Sequence, residues 1–232
     1  MHPGIKLALA SALALLALPG RAAFAAPADQ KDLKEVLHQL DVAAANFHST
    51  SADVEFDDIT TDPVYDKDVF TGIVYYDRKA TAFRMGVHFS QHNGRPSTKA
   101  YTFVGGILKL RDSDKSPVTS YPQAGKWESY IMLGFGASGK DLESKWEIKD
   151  LGTEQLSDGK ATIKTEKLEL VAKDPDVRKN LAKVTIWVDP DRALSLKQVF
   201  VLNPASSKIC LYSNFKVNDS LPKNAFTLDP AR

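Results

Sequence analysis

The chain of 232 residues has one cysteine, Cys210. No disulfide can form within it, so the fold must hold through its core alone. A small buried hydrophobe is the expected role of that residue. Charge of one sign is also scarce in excess: 30 basic residues stand against 29 acidic ones. That balance offers no concentrated basic face for phosphate backbones and excludes nucleic acid as the main partner. Catalytic signatures are missing too. There is no Gly-x-Ser-x-Gly elbow and no glycine-rich loop followed by Lys and Ser/Thr. No catalytic residue is assigned, no cofactor is expected, and the chain does not read as an enzyme. Past residue 25 no run of 18 apolar residues occurs, so nothing there is long enough to span a bilayer as a helix.

What is present begins with residues 1–25, which read as a secretory signal peptide. Lys6 supplies the positive start, Leu7 to Leu18 the apolar run, Pro19-Gly20 the break and Ala23-Phe24-Ala25 the small residues for cleavage. The run is about 12 residues, too short for roughly 30 Å of hydrocarbon. No cysteine follows the cleavage site to accept a lipid. The expectation is an exported protein, cleaved near Ala25 and residing in the periplasm, with one domain over residues 26–232. About 200 residues suffice for one ample core.

Two histidines, His88 and His92, lie four apart (HFSQH), the spacing of a helical zinc pair. Their surroundings alternate like a strand and turn, so they are expected in ordinary surface or turn roles, with no metal. The acids of Asp57-Asp58 and Asp66-Lys67-Asp68 are expected on solvated loop faces, and Asp174-Pro175-Asp176 as a turn.

An amphipathic helix opens the domain, with Leu33, Val36, Leu37, Leu40, Ala44 and Phe47 at intervals of three or four and Asp29 as its expected N-cap. From Ser51 the period changes to two. Val54, Phe56 and Asp58 share one strand face; Asp53, Glu55 and Asp57 share the other. Strands are expected over 70–77, 82–89, 99–103 and 107–110, the last two joined through Gly105-Gly106. Helical spacing returns at Trp127 to Leu133 and at Lys140 to Lys145. The remainder reads as strands over 146–151, 160–165, 166–172, 183–188, 195–202 and 209–216. Mainly β with some α, this pattern predicts a strongly curved antiparallel sheet forming a half-barrel, covered by the N-terminal helix and the short central helices. A closed lipocalin-like barrel is disfavoured: three helices would not fit inside, and the first strand has no Gly-x-Trp.

Large apolar residues crowd the central hairpins and short helices. If part of their lining stays unfilled, it can receive lipid tails. Each methylene withdrawn from water is worth roughly 0.8 kcal/mol, so an acyl chain of ~16 carbons yields on the order of 12 kcal/mol.

Several segments, in order, resemble the outer-membrane lipoprotein carrier (LolA) family. The helix exit Phe47 to Phe56 is similar to that family's helix-to-strand passage. Gly72-Ile73-Val74-Tyr75-Tyr76-Asp77-Arg78 resembles its Gly-x-Leu-x-x-x-Arg-Pro strand, with Lys79 where Pro stands. Phe83-Arg84-Met85 resembles Phe-x-Trp, with Met85 in place of the aromatic. Tyr101 to Leu110 is similar to its glycine hairpin, and Leu133-Gly134-Phe135-Gly136 with Leu142 and Trp146 to its helical stretch. Phe215 to Pro230 resembles its C-terminal close.

The resemblance implies a soluble carrier, a monomer, that shields the acyl chains of lipoproteins or lipid. It would take them from an inner-membrane lipoprotein-releasing transporter and pass them to an outer-membrane receptor. Its cavity residues would be Phe83, Met85, Tyr101, Phe103, Leu133, Phe135 and Trp146, and Arg78 would latch the lid by bonding helix carbonyls. A non-enzymatic envelope sensor binding lipid or lipoprotein on the same fold is the alternative.

Overall fold

The computed structural model describes residues 32–79, 82–122 and 124–229; the leader segment and Asp29 lie outside them. Helix α1 (Leu33–Ala45) is capped by Asp32, whose carboxylate accepts the Lys34 N–H at 3.3 Å. Twelve strands follow among the described residues: β1 (Ser49–Thr60), β2 (Asp66–Lys79), β3 (Ala82–His92), β4 (Arg95–Pro96), β5 (Ala100–Val104), β6 (Ile107–Arg111), β7 (Thr119–Tyr121), β8 (Trp146–Ser157), β9 (Thr162–Ala172), β10 (Lys183–Asp189), β11 (Leu194–Asn203) and β12 (Ser206–Val217). A 3-10 turn (Ala124–Trp127) runs into α2 (Glu128–Ile131). Then come α3 (Gly139–Lys145) and, between β9 and β10, α4 (Pro175–Arg178).

All the strand pairings are antiparallel and form one sheet in the order β7-β6-β5-β3-β2-β1-β12-β11-β10-β9-β8, with β4 beside β3. Its two outer strands, β7 and β8, do not pair with each other, so the sheet is an open half-barrel rather than a closed barrel. Where two strands were expected over 160–172, a single continuous strand, β9, forms. It pairs along β8, which runs on to Ser157 instead of ending near Leu151.

The helices fill only half of the concave face. Val36, Leu37, Leu40 and Ala44 of α1 pack with Leu142 of α3 on Leu168, Leu170, Val184 and Ile186 of β9 and β10. Ser138 caps α3 in a reciprocal capping box with Asp141, and the Lys140 N–H donates to Asp41 of α1 at 3.1 Å. The second apolar cluster lies over β1, β2, β3, β5 and β12, and among the described residues no long helix covers it. That difference leaves room for the site.

Some expectations on polar residues are corrected. Asp57 is buried, not solvated, because it pairs with Lys67 at 2.8 Å. Asp174 does not make a simple turn; its side chain accepts the Asp176 N–H and caps α4. His88 is buried in β3, with Nε2 2.8 Å from the Thr227 carbonyl. An extra residue at Ser90 breaks the β2–β3 register between Gly72/Phe89 and Thr71/Gln91. His92 therefore turns to other partners: it stacks on Phe70 at 4.2 Å and meets Asp68 at 2.6 Å. The two histidines do not share a site.

Candidate functional site: an apolar hollow under a clasped loop

Cross-strand register builds the hollow row by row. One row runs Tyr76, Met85, Phe103 and Leu108 over β2, β3, β5 and β6; the next runs Val74, Val87, Tyr101 and Leu110. Farther along, Val54 faces Tyr212, and Phe56 faces Cys210, which faces Gln198. Phe200 and Leu202 of β11 continue that wall. Trp127, Tyr130 and Ile131, from the 3-10 turn and α2, close the hollow from above. The cavity measures about 960 Å³, at the upper end of what small-ligand sites enclose.

Burial sets the chemistry of the wall. It pushes the Tyr76 and Tyr212 hydroxyls well above the usual tyrosine range, and it pushes the Cys210 thiol up to about 12. Burial also raises Tyr101, against the opposing pull of Lys99. At neutral pH these groups carry no charge, and the wall stays apolar. Cys210 is buried and free, as expected of a small hydrophobe.

The loop between α2 and α3 clasps both walls. Phe135 stacks on Tyr76 at 3.8 Å and meets Tyr212 edge-on at 4.8 Å. On the β11 side, the Ser195 N–H donates to the Gly134 carbonyl at 2.7 Å, and the Gly136 N–H to the Ala193 carbonyl at 2.9 Å. Gln198 donates to the Leu133 carbonyl while accepting the Tyr212 hydroxyl at 3.1 Å. On the β2 side, Arg78 donates from Nη2 to the Gly136 carbonyl at 2.7 Å. Both glycines sit at positive φ, +76° and +68°. A Cβ on Gly134 would lie 2.4 Å from Ser195 Cβ, and one on Gly136 2.3 Å from the Phe47 ring. The loop therefore seats only with glycine at both positions.

The residues expected to line the cavity divide. Met85 and Tyr101 are on its wall. Phe83, Phe103 and Phe135 are buried in the same apolar cluster as Met85 but do not line the cavity. Leu133 and Trp146 belong to the other cluster, under α1 and α3. Those five are packed core rather than wall, because aromatic bulk marks burial without saying which side remains empty. Tyr76, Phe56, Gln198, Phe200 and Tyr212 were not among the expected lining residues, although period-two spacing on β1, β2, β11 and β12 carries the signal for their shared face. Arg78 meets a loop carbonyl where the resemblance implied helix carbonyls.

No family model matches the sequence, and no curated protein does. Solved structures do show likeness. An outer membrane lipoprotein-sorting protein domain from Vibrio parahaemolyticus has TM-score 0.43 at 13% identity, covering 84% of this chain and 97% of that one. A LolA superfamily protein from Nitrosomonas europaea has TM-score 0.39 at 16% identity, covering 85% and 98%. The Pseudomonas aeruginosa MucA/MucB complex has TM-score 0.47 at 13% identity, covering 87% and 62%. At such identities the likeness is one of backbone architecture. An open-edged antiparallel sheet with helices laid across its concave face gives this chain a half-barrel fold.

Proposed function

We propose that the protein is a soluble periplasmic carrier that shields the acyl chains of lipoproteins or lipid in its hollow and delivers them to the outer membrane. The observation carrying this reading is the half-filled concave face: α1 and α3 pack one side solid, while about 960 Å³ stays open on the other. Its wall is uncharged over most of its extent. Filling it with an acyl chain of ~16 carbons recovers on the order of 12 kcal/mol of transfer free energy. That gain drives capture, and release requires the cover to move. The short 3-10 turn and α2 suit that movement, since α2 has no fully buried residue and no side-chain cap.

In this reading Arg78 secures the clasp when the hollow is empty. The donor is an inner-membrane releasing transporter, the recipient an outer-membrane receptor, and the protein acts as a monomer without catalysis. Mass spectrometry of protein purified from its own host is expected to find bound lipid or acylated peptide. A ligand-free species that also fails to extract acylated proteins from membranes would overturn the reading. Recovery of a membrane-anchored regulator, with no transporter, would favour a sensor instead.

A further inference from the structure

The hollow is chemically lopsided. Lys208 is the one charged residue on its wall among the described residues, and it lies toward one end. There Phe200, Lys208, Asp58 and Asp68 lie side by side across β11, β12, β1 and β2. The Lys208 ammonium is 2.5 Å from the Asp58 carboxylate and 5.5 Å from the centre of the Phe56 ring. The same aromatic group, Phe56 with Phe70 and Phe89, carries a second cation. Lys99 sits 4.7 Å above the Phe70 ring and 5.5 Å from that of Tyr101, a wall residue, and pairs with Asp112 at 3.1 Å. Two lysine–aspartate pairs thus flank one end of a cavity that is otherwise almost wholly apolar.

From this placement we infer that cargo enters with its tail inward and its polar head at the Lys208–Asp58 end, and that the preferred head is zwitterionic, a phosphate bearing an ammonium group. The inference rests on the carrier reading and specifies its cargo. An ammonium on Lys has three donors, and Asp58 takes one from Lys208, leaving others for a phosphate. A purely anionic head would gain those donors while facing the Asp58 carboxylate. A head with both signs satisfies both partners, phosphate toward Lys208 and ammonium toward Asp58. A neutral head gains neither. Half-burial of the pair, with Lys208 about one-third exposed and Asp58 two-fifths, makes such contacts stronger than on open surface.

The test is displacement of a fluorescent acyl probe by three lysolipids with the same chain, each below its micelle concentration: monoacylglycerol, lysophosphatidic acid and lysophosphatidylethanolamine. The last is expected to bind about tenfold more tightly than monoacylglycerol. Lys208→Met should abolish that preference, so that lysophosphatidylethanolamine binds no more tightly than monoacylglycerol. Asp58→Asn, close in shape, should weaken the ethanolamine lipid and strengthen the phosphatidic one. Equal affinity for all three, or tightest binding of lysophosphatidic acid by the wild type, overturns the headgroup inference and spares the carrier reading. Failure of even monoacylglycerol to bind overturns both. Loss of monoacylglycerol binding in Lys208→Met means the lysine shapes the hollow rather than reading the head, which also rejects the inference.

Discussion

Arg78 shows how much one side chain is asked to do. Its guanidinium reaches the Gly136 carbonyl, and through it the β2 wall holds a loop that β11 grips by main-chain bonds. It also lies near enough to Glu128 of α2 to oppose the upward push that burial gives that carboxyl. Loss of a charge-assisted hydrogen bond costs about 1.5–3 kcal/mol. Arg78→Leu is therefore expected to lower the thermal midpoint modestly and to loosen the clasp on one side only, because the bonds to Ala193, Ser195 and Gln198 remain. In a release assay the variant should retain acylated cargo longer than the wild type. Unchanged transfer would remove Arg78 from the mechanism and leave the fold intact.

At the scale of elements, the β8–β9 hairpin is the part that sequence periodicity described least well. Its tip, Ser157 to Ala161, docks on β12: the Asn214 N–H donates to the Asp158 carbonyl at 2.7 Å, and Lys160 reaches the Phe215 carbonyl. Burial pushes the Asp158 carboxyl up, but the Ala161 and Lys160 N–H groups and Arg192 together outweigh it and hold the carboxyl below its usual range. A depressed carboxyl stabilises the fold above the unfolded value, near 3.9, and that contribution fades as pH falls through the lower folded value. The amide protection factor at Asn214 is thus expected to stay high down to about pH 4 and to drop below it. Asp158→Asn should show reduced protection already at neutral pH. Equal protection in both proteins across the range would show that the carboxylate does not anchor the tip. The docking was not visible in the sequence, because it joins residues some 55 positions apart.

The helices and hairpins, by contrast, were legible wherever an apolar period survived. Leu33 to Ala44 marks α1, and Val104 to Ile107 marks a reversal whose two glycines both adopt positive φ. The N-cap was misplaced because Asp29 and Asp32 are equally suited by type, and only the chain path selects Asp32. The hollow itself had no single-residue signature. Phe103 and Tyr101 are both large and apolar on one strand, yet one is fully buried and the other forms wall. Emptiness depends on which helices cover which rows, a long-range property that periodicity does not encode.

Considered as a whole, the molecule separates stability from capacity across its concave face. Leu40 of α1 is 1% exposed in the filled half, so Leu40→Ala should cost about 2–5 kcal/mol through the cavity it leaves. Met85 borders the open half, and Met85→Trp has room to project inward. That variant is expected to keep its thermal midpoint within a few degrees while losing acyl-probe binding several-fold. A large fall in its midpoint, with binding retained, would mean that the hollow closes in solution.

Pairing of β1 with β12 has a further consequence. The earliest strand of the sheet bonds to the last, and among the strand pairings of the described residues this seam alone joins the β7–β2 wing to the β11–β8 wing. A chain emerging amino end first presents an unmated edge along Ser49–Thr60 until Ser206–Val217 has been made. Closure of the sheet must wait for that late stitch, and until then β1 is open to mispairing along a dozen residues.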